Sequence, residues 1–275
     1  MSLSPLVTVV IVTWNNENDI YDCLKSIYEQ DYDNYNIVVI DNASKDNTKR
    51  IIKDSFPQVE LIEKDKNLFL TGGNNAGIKY ALKQYDSEYI LVLNPDTYSP
   101  RYLISELVKP FHSAKKIGAV GPKVKFWKNK NEGLINSAGI YYDGFMQAYD
   151  IGFKEEDNGQ YDEQKEVFGV TGACIMYKAD MLKEIGLYEN LIKMYLDEVE
   201  LFIRAHKHGW NVIYTPEVTL GHNYMQSTTQ NKSFNREKQL MKAWLIIALK
   251  HYPLKSKLAM LKHYIKFRIT KELPE

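Results

Sequence analysis

Four short, almost uninterrupted apolar runs recur in the first hundred positions, each followed by a stretch with helical spacing or turn residues, and this rhythm most constrains the fold. Leu6 to Val12, Asn36 to Ile40, Val59 to Ile62 and Tyr89 to Leu93 lack polar alternation. A strand that is apolar on both faces must be covered on both, which is the situation of a parallel sheet with crossover helices. The intervening segments supply those helices. Asn15 or Asn16 is expected to cap a helix running to about Gln30, with Ile20, Leu24, Ile27 and Tyr28 at helical spacing. A polar turn, Asp41-Asn42-Ala43-Ser44, precedes a second helix to about Ser55. An Asn- and Gly-rich loop precedes a third, from about Asn74 to Gln84. The run Tyr89 to Leu93 ends abruptly in Asn94-Pro95-Asp96-Thr97. Strand ends of this kind are where open α/β sheets keep their ligands.

After Gly118 the rhythm changes. Ala119 to Phe126 reads as a strand, and the polar stretch from Lys128 to Glu166 reads as hairpins and loops, where acceptor-side variability is expected. Phe168 to Tyr177 resumes a strand, Ala179 to Ile185 is a short helix stopped by Gly186, and Met194 to His208 is a helix ended by Gly209. Val212 to Tyr214 and Val218 to Leu220 read as two short strands. The chain divides into a main unit, 1–228, with a regular α/β half at 1–118 and a less regular half at 119–228, and a basic helical extension at 229–275. In that extension ten basic residues between Arg236 and Lys271 face one acid, Glu237. Leu258, Leu261 and Ile265, with Met260 and Tyr264, give it a partial stripe. It reads either as an interfacial helix or as a solvated basic helix packed on the main unit.

Composition narrows the partners. The 275 residues carry 35 basic and 35 acidic side chains, which argues against nucleic acid as a partner, since that usually needs a basic surplus. The two cysteines, Cys23 and Cys174, lie too far apart in sequence for a small disulfide framework and read as reduced thiols. The first dozen residues read as a strand rather than a signal peptide, and no window is long and apolar enough for a spanning helix.

Several residues could carry chemistry. Asp41 and Asp96 end the second and fourth strands, so a parallel sheet sets both on one rim. Asp96, presented by a proline turn, suits a hard divalent cation bridging phosphates, or is simply a turn former. The loop from Asn67 to Gly77, containing Gly72, Gly73 and Asn75, offers small side chains and bare N–H groups to a diphosphate. Neither a P-loop nor Gly-x-Gly-x-x-Gly occurs, which sets aside kinase-like ATPases and ordinary dehydrogenases. On the Met194 to His208 helix, Glu200 precedes Arg204 by four and reads as a supporting ion pair. Glu198 shares its stripe with Met194, Tyr195, Leu201 and Phe202, so it faces an apolar wall or a cleft, and a raised pKa there suits a general base. Asp197 points about 100° away and is the reserve candidate. His222 ends a strand after Gly221 and is either structural or a ligand. The other five histidines read as surface residues.

These segments, from about Val7 to Thr228, resemble family 2 glycosyltransferases of the GT-A fold, and within them the rhamnosyltransferase-like branch. The motifs are Val10 to Asn15, Asp41 to Ser44 with Asp46 and Thr48, Asn67 to Gly77, Leu93 to Thr97, Gly172-Ala173, Gly186-Leu187-Tyr188, Tyr195 to Leu201 with Arg204, and His222 before Ser227-Thr228. The resemblance implies a Rossmann-like, mostly parallel central sheet with flanking helices. It implies that Thr13, Asn15, Asp41, Ser44, Asn67, Gly72, Asn75, Asn94 and Asp96 bind a nucleotide-diphosphate sugar. It implies that Asp96, with His222, holds a divalent metal, Mn or Mg, and that Glu198, preceded by Asp197, is the general base of an inverting transfer. Three positions depart from the family pattern: Asn94 stands at the first acid of Asp-x-Asp, the Glu-Asp pair is swapped to Asp197-Glu198, and Phe69-Leu70-Thr71 replaces a common Gly-Phe-Ala. The branch implies dTDP-rhamnose as donor, with UDP- and GDP-sugars sharing the framework. The acceptor would be a glycan or lipid-linked polysaccharide, met in the cytoplasm with the basic tail at the inner face of the membrane. The competing readings are a nucleotidyltransferase, for which no glycine-rich, lysine-bearing triphosphate loop is found, and a non-catalytic nucleotide- or sugar-binding GT-A-like domain.

Overall fold

The structure is a computed structural model that describes residues 4–224 and 236–270. Its chain order begins β1 (Val7–Thr13), α1 (Ile20–Tyr28), β2 (Tyr35–Asp41), α2 (Thr48–Ser55), β3 (Glu60–Glu63), α3 (Phe69–Gln84), β4 (Tyr89–Leu93), β5 (Thr97–Tyr98) and α4 (Leu103–Val108). It continues with β6 (Ile117–Phe126), β7 (Ile135–Ser137), β8 (Ile140–Tyr142), β9 (Ala148–Asp150), β10 (Lys165–Val167), β11 (Cys174–Lys178), α5 (Ala179–Ile185), α6 (Asp197–Lys207) and β12 (Asn211–His222). Two helices close the described chain, α7 (Arg236–His251) and α8 (Leu254–Thr270).

The main sheet runs β10-β12-β6-β11-β4-β1-β2-β3, with β5 added to β12 and β7 to β6. Strands β3, β2, β1 and β4 are parallel, as the apolar runs require, and β6 and β12 are parallel as well. Between those groups β11 runs antiparallel to both β4 and β6. The alternation of β1 shows why both faces are buried. Val7, Val9 and Ile11 pack with Ile20, Leu24 and Ile27 of α1, while Val10 packs with Ile78 and Ala81 of α3 on the opposite face. A third apolar cluster joins Val199 and Ile203 of α6 to Met241, Trp244 and Ile247 of α7 and to Met260 and Phe267 of α8.

Tertiary contacts moved several expected boundaries. The first helix starts at Ile20, because Asn16 spends its side-chain oxygen on the Thr13 hydroxyl and the Trp14 N–H, making a turn instead of a cap. The Asn- and Gly-rich loop is already helix from Phe69, so Gly72, Gly73 and Gly77 lie inside α3. Their use is close packing: a Cβ on Gly73 would stand 2.5 Å from Val12 Cγ1, and one on Gly77 2.3 Å from Val10 Cγ1. The strand expected from Phe168 begins only at Cys174, since Gly169 is pressed against the Phe202 ring. The two short strands after Trp210 are one strand, β12, with a register shift between Thr215 and Thr219. His206 and His251 are not surface residues: His206 stacks on Phe168, and the His251 side chain is 9% exposed. The expected boundary at 228/229 and the pair Ser227-Thr228 lie outside the described residues.

Because Val10 is a buried, β-branched strand residue, it cannot swing away from a new methyl group, and α3 must lift off the sheet. Gly77→Ala should therefore destabilise the protein by about 1–3 kcal/mol despite its gain in helix propensity, measured by urea unfolding; an unchanged midpoint would contradict this packing.

Candidate active site

At the C-terminal ends of the parallel strands, backbone geometry and long-range pairing assemble a cavity of about 260 Å³ whose wall includes Asn94, Asp96, Asp150, Asp197, Glu198 and His222. Asp96 follows β4 in a turn closed by the Thr97 hydroxyl, which donates to the Asn94 carbonyl at 2.7 Å. Strand β5, only two residues long, pairs antiparallel with the end of β12 so that His222 stands opposite Thr97. That pairing carries His222 to Asp96, with Nε2 3.3 Å from Oδ1. The other ring nitrogen, Nδ1, lies 2.8 Å from the Asn136 side-chain oxygen. A carboxylate oxygen and an imidazole nitrogen side by side at 3.3 Å can serve a cation as ligands. Among the described residues no group of three or more His, Cys, Asp or Glu could hold a metal, so further ligands would have to come from elsewhere.

Across the cavity stand Asp197 and Glu198, the first two residues of α6. Tyr195 and Leu196 have φ of 65° and 59°, so the helix expected from Met194 cannot begin before Asp197. This start also corrects the expected separation of the two acids. Both line the same cavity, and each carboxylate acts on the other. Burial, then the Asp197 charge, pushes Glu198 well above the usual carboxylate range, while burial raises Asp197 to about 6. Both acids therefore hold a proton more tightly than a free carboxylate does.

The remaining expected residues fall into two further groups. Thr13, Asn15, Asp41 and Ser44 form one network at the ends of β1 and β2. Ser44 N–H donates to Asp41 Oδ2 at 3.0 Å, and Asn15 N–H donates to the Ser44 hydroxyl at 3.0 Å. Asp41 Oδ1 is buried without a partner among the described residues, as is Asn16 Nδ2. Two orphaned polar atoms at a strand-end rim mark a place where a polar ligand can bind. Gly72 and Asn75 line a separate hollow on α3, away from the cavity. The Asn75 amide donates to the Tyr188 carbonyl and accepts from the Tyr188 N–H, so it fastens the turn after α5. Asn67 accepts from the Phe69 N–H at 2.7 Å and starts α3.

Sequence reading missed Asp150, which reaches the cavity from β9 inside the polar stretch taken as hairpins. It also underrated Glu200. That side chain is fully buried and accepts three hydrogen bonds from Arg204 at 2.7 to 3.1 Å, while His251 Nε2 of α7 lies 2.8 Å away. Burial alone would raise its pKa, but the His251 and Arg204 hydrogen bonds hold it below the usual range. Arg204 also donates to the carbonyls of Ile185, Gly186 and Leu187.

The profile of glycosyl transferase family 2 matches residues 8–186. The chain is 26% identical over 227 residues to a low-salt glycan biosynthesis hexosyltransferase of Haloferax volcanii, covering 82% of this chain and 70% of the relative. It is 20% identical over 266 residues to the N-acetylglucosaminyl-diphospho-decaprenol L-rhamnosyltransferase of Mycobacterium tuberculosis, covering 90% and 86%. Among solved structures, GalNAc-T7 with UDP, GalNAc and Mn2+ superposes with a TM-score of 0.69 at 15% identity, over 98% of this chain and 58% of that one. That likeness shows the GT-A fold alone.

Removing Arg204 would leave the Glu200 charge buried with a single partner. Arg204→Ala should cost about 3–5 kcal/mol in urea unfolding, and the double variant Glu200→Gln/Arg204→Met should cost less than the single one. The reverse order would refute the clamp.

Proposed function

The chain belongs to glycosyl transferase family 2, and from that premise we propose that it moves a sugar from a nucleoside-diphosphate donor to a hydroxyl of a glycan or lipid-linked acceptor, with inversion at the anomeric carbon. The observation that carries this reading is the convergence of Asp96 and His222 with Asp197 and Glu198 on one cavity. In this reading the unpartnered Asp41 Oδ1 accepts from an N–H of the nucleotide base, within the network of Thr13, Asn15 and Ser44. Asp96 and His222 would hold a divalent cation, Mn or Mg. That cation would neutralise charge building on the leaving diphosphate. Asn94, at the first position of the metal motif, adds polarity without charge.

Glu198 takes the proton of the acceptor hydroxyl, and Asp197 sets how readily it can do so. Removing the Asp197 charge lowers the proton affinity of Glu198 and makes it available at lower pH. The donor sugar we propose is rhamnose, on the strength of the Asn94 to Thr97 motif and the likeness to the mycobacterial rhamnosyltransferase.

A turnover assay over dTDP-, UDP- and GDP-sugars with manganese tests this assignment. Glu198→Gln should lower kcat by about 10²–10⁴-fold while donor affinity stays within about threefold. Asp197→Asn should keep activity and move the acid limb of the pH profile to lower pH. Near-normal turnover in Glu198→Gln would remove that residue from the role, and donor binding without transfer by the wild type would mark a binding module.

We also propose a cytoplasmic enzyme that works at the inner face of a membrane through α8. No described helix is long and apolar enough to cross a membrane. Helix α8 instead has two apolar faces. Met260 and Phe267 point inward, whereas Leu254, Leu258, Leu261, Ile265 and Ile269 are 41 to 77% exposed. At about 100° per residue the five exposed side chains fall within an arc of about 80°. Lys255, Lys262 and Lys266 border this arc on one side and Lys257 and Arg268 on the other, with no acid anywhere in the helix. A surface helix lying in the headgroup plane of anionic lipid has this arrangement. The triple variant Leu254→Gln/Leu258→Gln/Ile265→Gln should lose at least tenfold in binding to phosphatidylglycerol vesicles without loss of thermal stability; equal binding would exclude α8 as the contact.

A further inference from the structure

We propose that Asp150 forms a binding subsite for a hydroxyl group of the sugar that is being transferred. The inference rests on the transfer reading above and assigns a role to a residue that the base and the cation site leave unused. Asp150 closes β9, and the β8–β9 pairing sets it opposite Ile140, which also lines the cavity. Its Oδ1 is buried and has no hydrogen-bond partner among the described residues. Native proteins rarely leave a buried carboxylate oxygen empty-handed, because an unmet acceptor there forfeits its full hydration. Among the described residues no lysine or arginine is one of the groups that act on it. The hydroxyls of Ser137 and Thr171 and the ring of His222 lie beside it, and burial raises its pKa to about 6. Two helpers and an orphaned oxygen describe a carboxylate that waits for one more hydrogen-bond donor.

Position decides which donor. Asp150 lies beside His222, and Glu198 lines the same cavity. In an inverting displacement the leaving diphosphate and the incoming hydroxyl lie on opposite sides of the anomeric carbon. A group that faces both the cation side and the base side therefore faces the sugar ring between them. A hydroxyl of that ring is the donor the geometry supplies. A cavity of about 260 Å³ has room for a sugar-sized group.

The test compares three pairs of probes by calorimetry in manganese: UDP with UDP-GlcNAc, GDP with GDP-mannose, and dTDP with dTDP-rhamnose. For the pair that the wild type prefers, Asp150→Ala should weaken the nucleotide sugar at least tenfold and change the free nucleoside diphosphate by less than twofold. Deoxy analogues of the preferred sugar give a readout that a merely structural residue would not move. One analogue should bind the wild type more weakly than the parent sugar, yet bind Asp150→Ala equally well. Should Asp150→Ala fail to fold, Asp150→Asn enters the same comparison and should lose at least threefold. Equal losses for sugar nucleotide and free nucleotide would overturn the proposal, as would an effect confined to the acceptor KM. A wild type that binds none of the probes would sink the transfer reading together with it, whereas normal wild-type turnover with an indifferent Asp150→Ala would sink the subsite alone.

Discussion

A fully buried carboxylate gripped by an arginine and a histidine holds the cavity side of the molecule in place. Glu200 has no exposed side-chain surface, and the Arg204 guanidinium grips it while spending its remaining N–H groups on the carbonyls of Ile185, Gly186 and Leu187. His251 reaches the same carboxylate from α7. One interaction therefore ties the end of α5, the body of α6 and the C-terminal helices to a single point. Buried ion pairs seldom add net stability, but breaking one is costly, so their main effect is to make one arrangement much better than its neighbours. The arrangement selected here sets the first turn of α6, two residues before Glu200, against the cavity.

Strain at that turn is part of the same design. Tyr195 and Leu196 both adopt left-handed backbone, a conformation that costs non-glycine residues about 1–2 kcal/mol each. Asn15, Ala43 and Phe69 do so too, at the starts of the segments that follow β1, β2 and β3. These positions form the rim where strands give way to loops. Sharp reversals there bring the Asp197 and Glu198 carboxylates onto the helix N-terminus, where backbone N–H groups favour their charge while burial and mutual repulsion oppose it. The balance raises the proton affinity of both acids, which suits a base that must take a proton from a hydroxyl.

The other wall comes from distance in sequence and closeness in space. The short β5 strand matters less for stability than for address: by pairing with β12 it brings His222 to Asp96. Asp19 and Asn223 reinforce the same corner, with the Asn223 amide donating to Asp19 at 2.9 Å. Burial raises the Asp19 pKa, and the neighbouring Asp96 charge adds to the rise. Acids gathered this closely need compensation by a cation or by a polar ligand, which is consistent with a site that meets charged phosphates.

The amino-acid sequence by itself determined the parallel half of the sheet, because residues such as Val7, Val9 and Val10 are apolar on both faces and permit no other burial. It also marked Asp41 and Asp96 as strand-end acids and paired Glu200 with Arg204 through four-residue spacing. Only tertiary structure decided what depends on contacts between distant segments. Gly73 reads as part of a loop because glycine opposes helix, yet the demand that α3 lie close to Val12 outweighs that local preference. Helical geometry separated Asp197 from Glu198 on paper, but at a first turn no preceding turn fixes the side chains, and they meet. Asp150 carried no local pattern at all, since its burial is conferred by a hairpin and by the walls it helps to close.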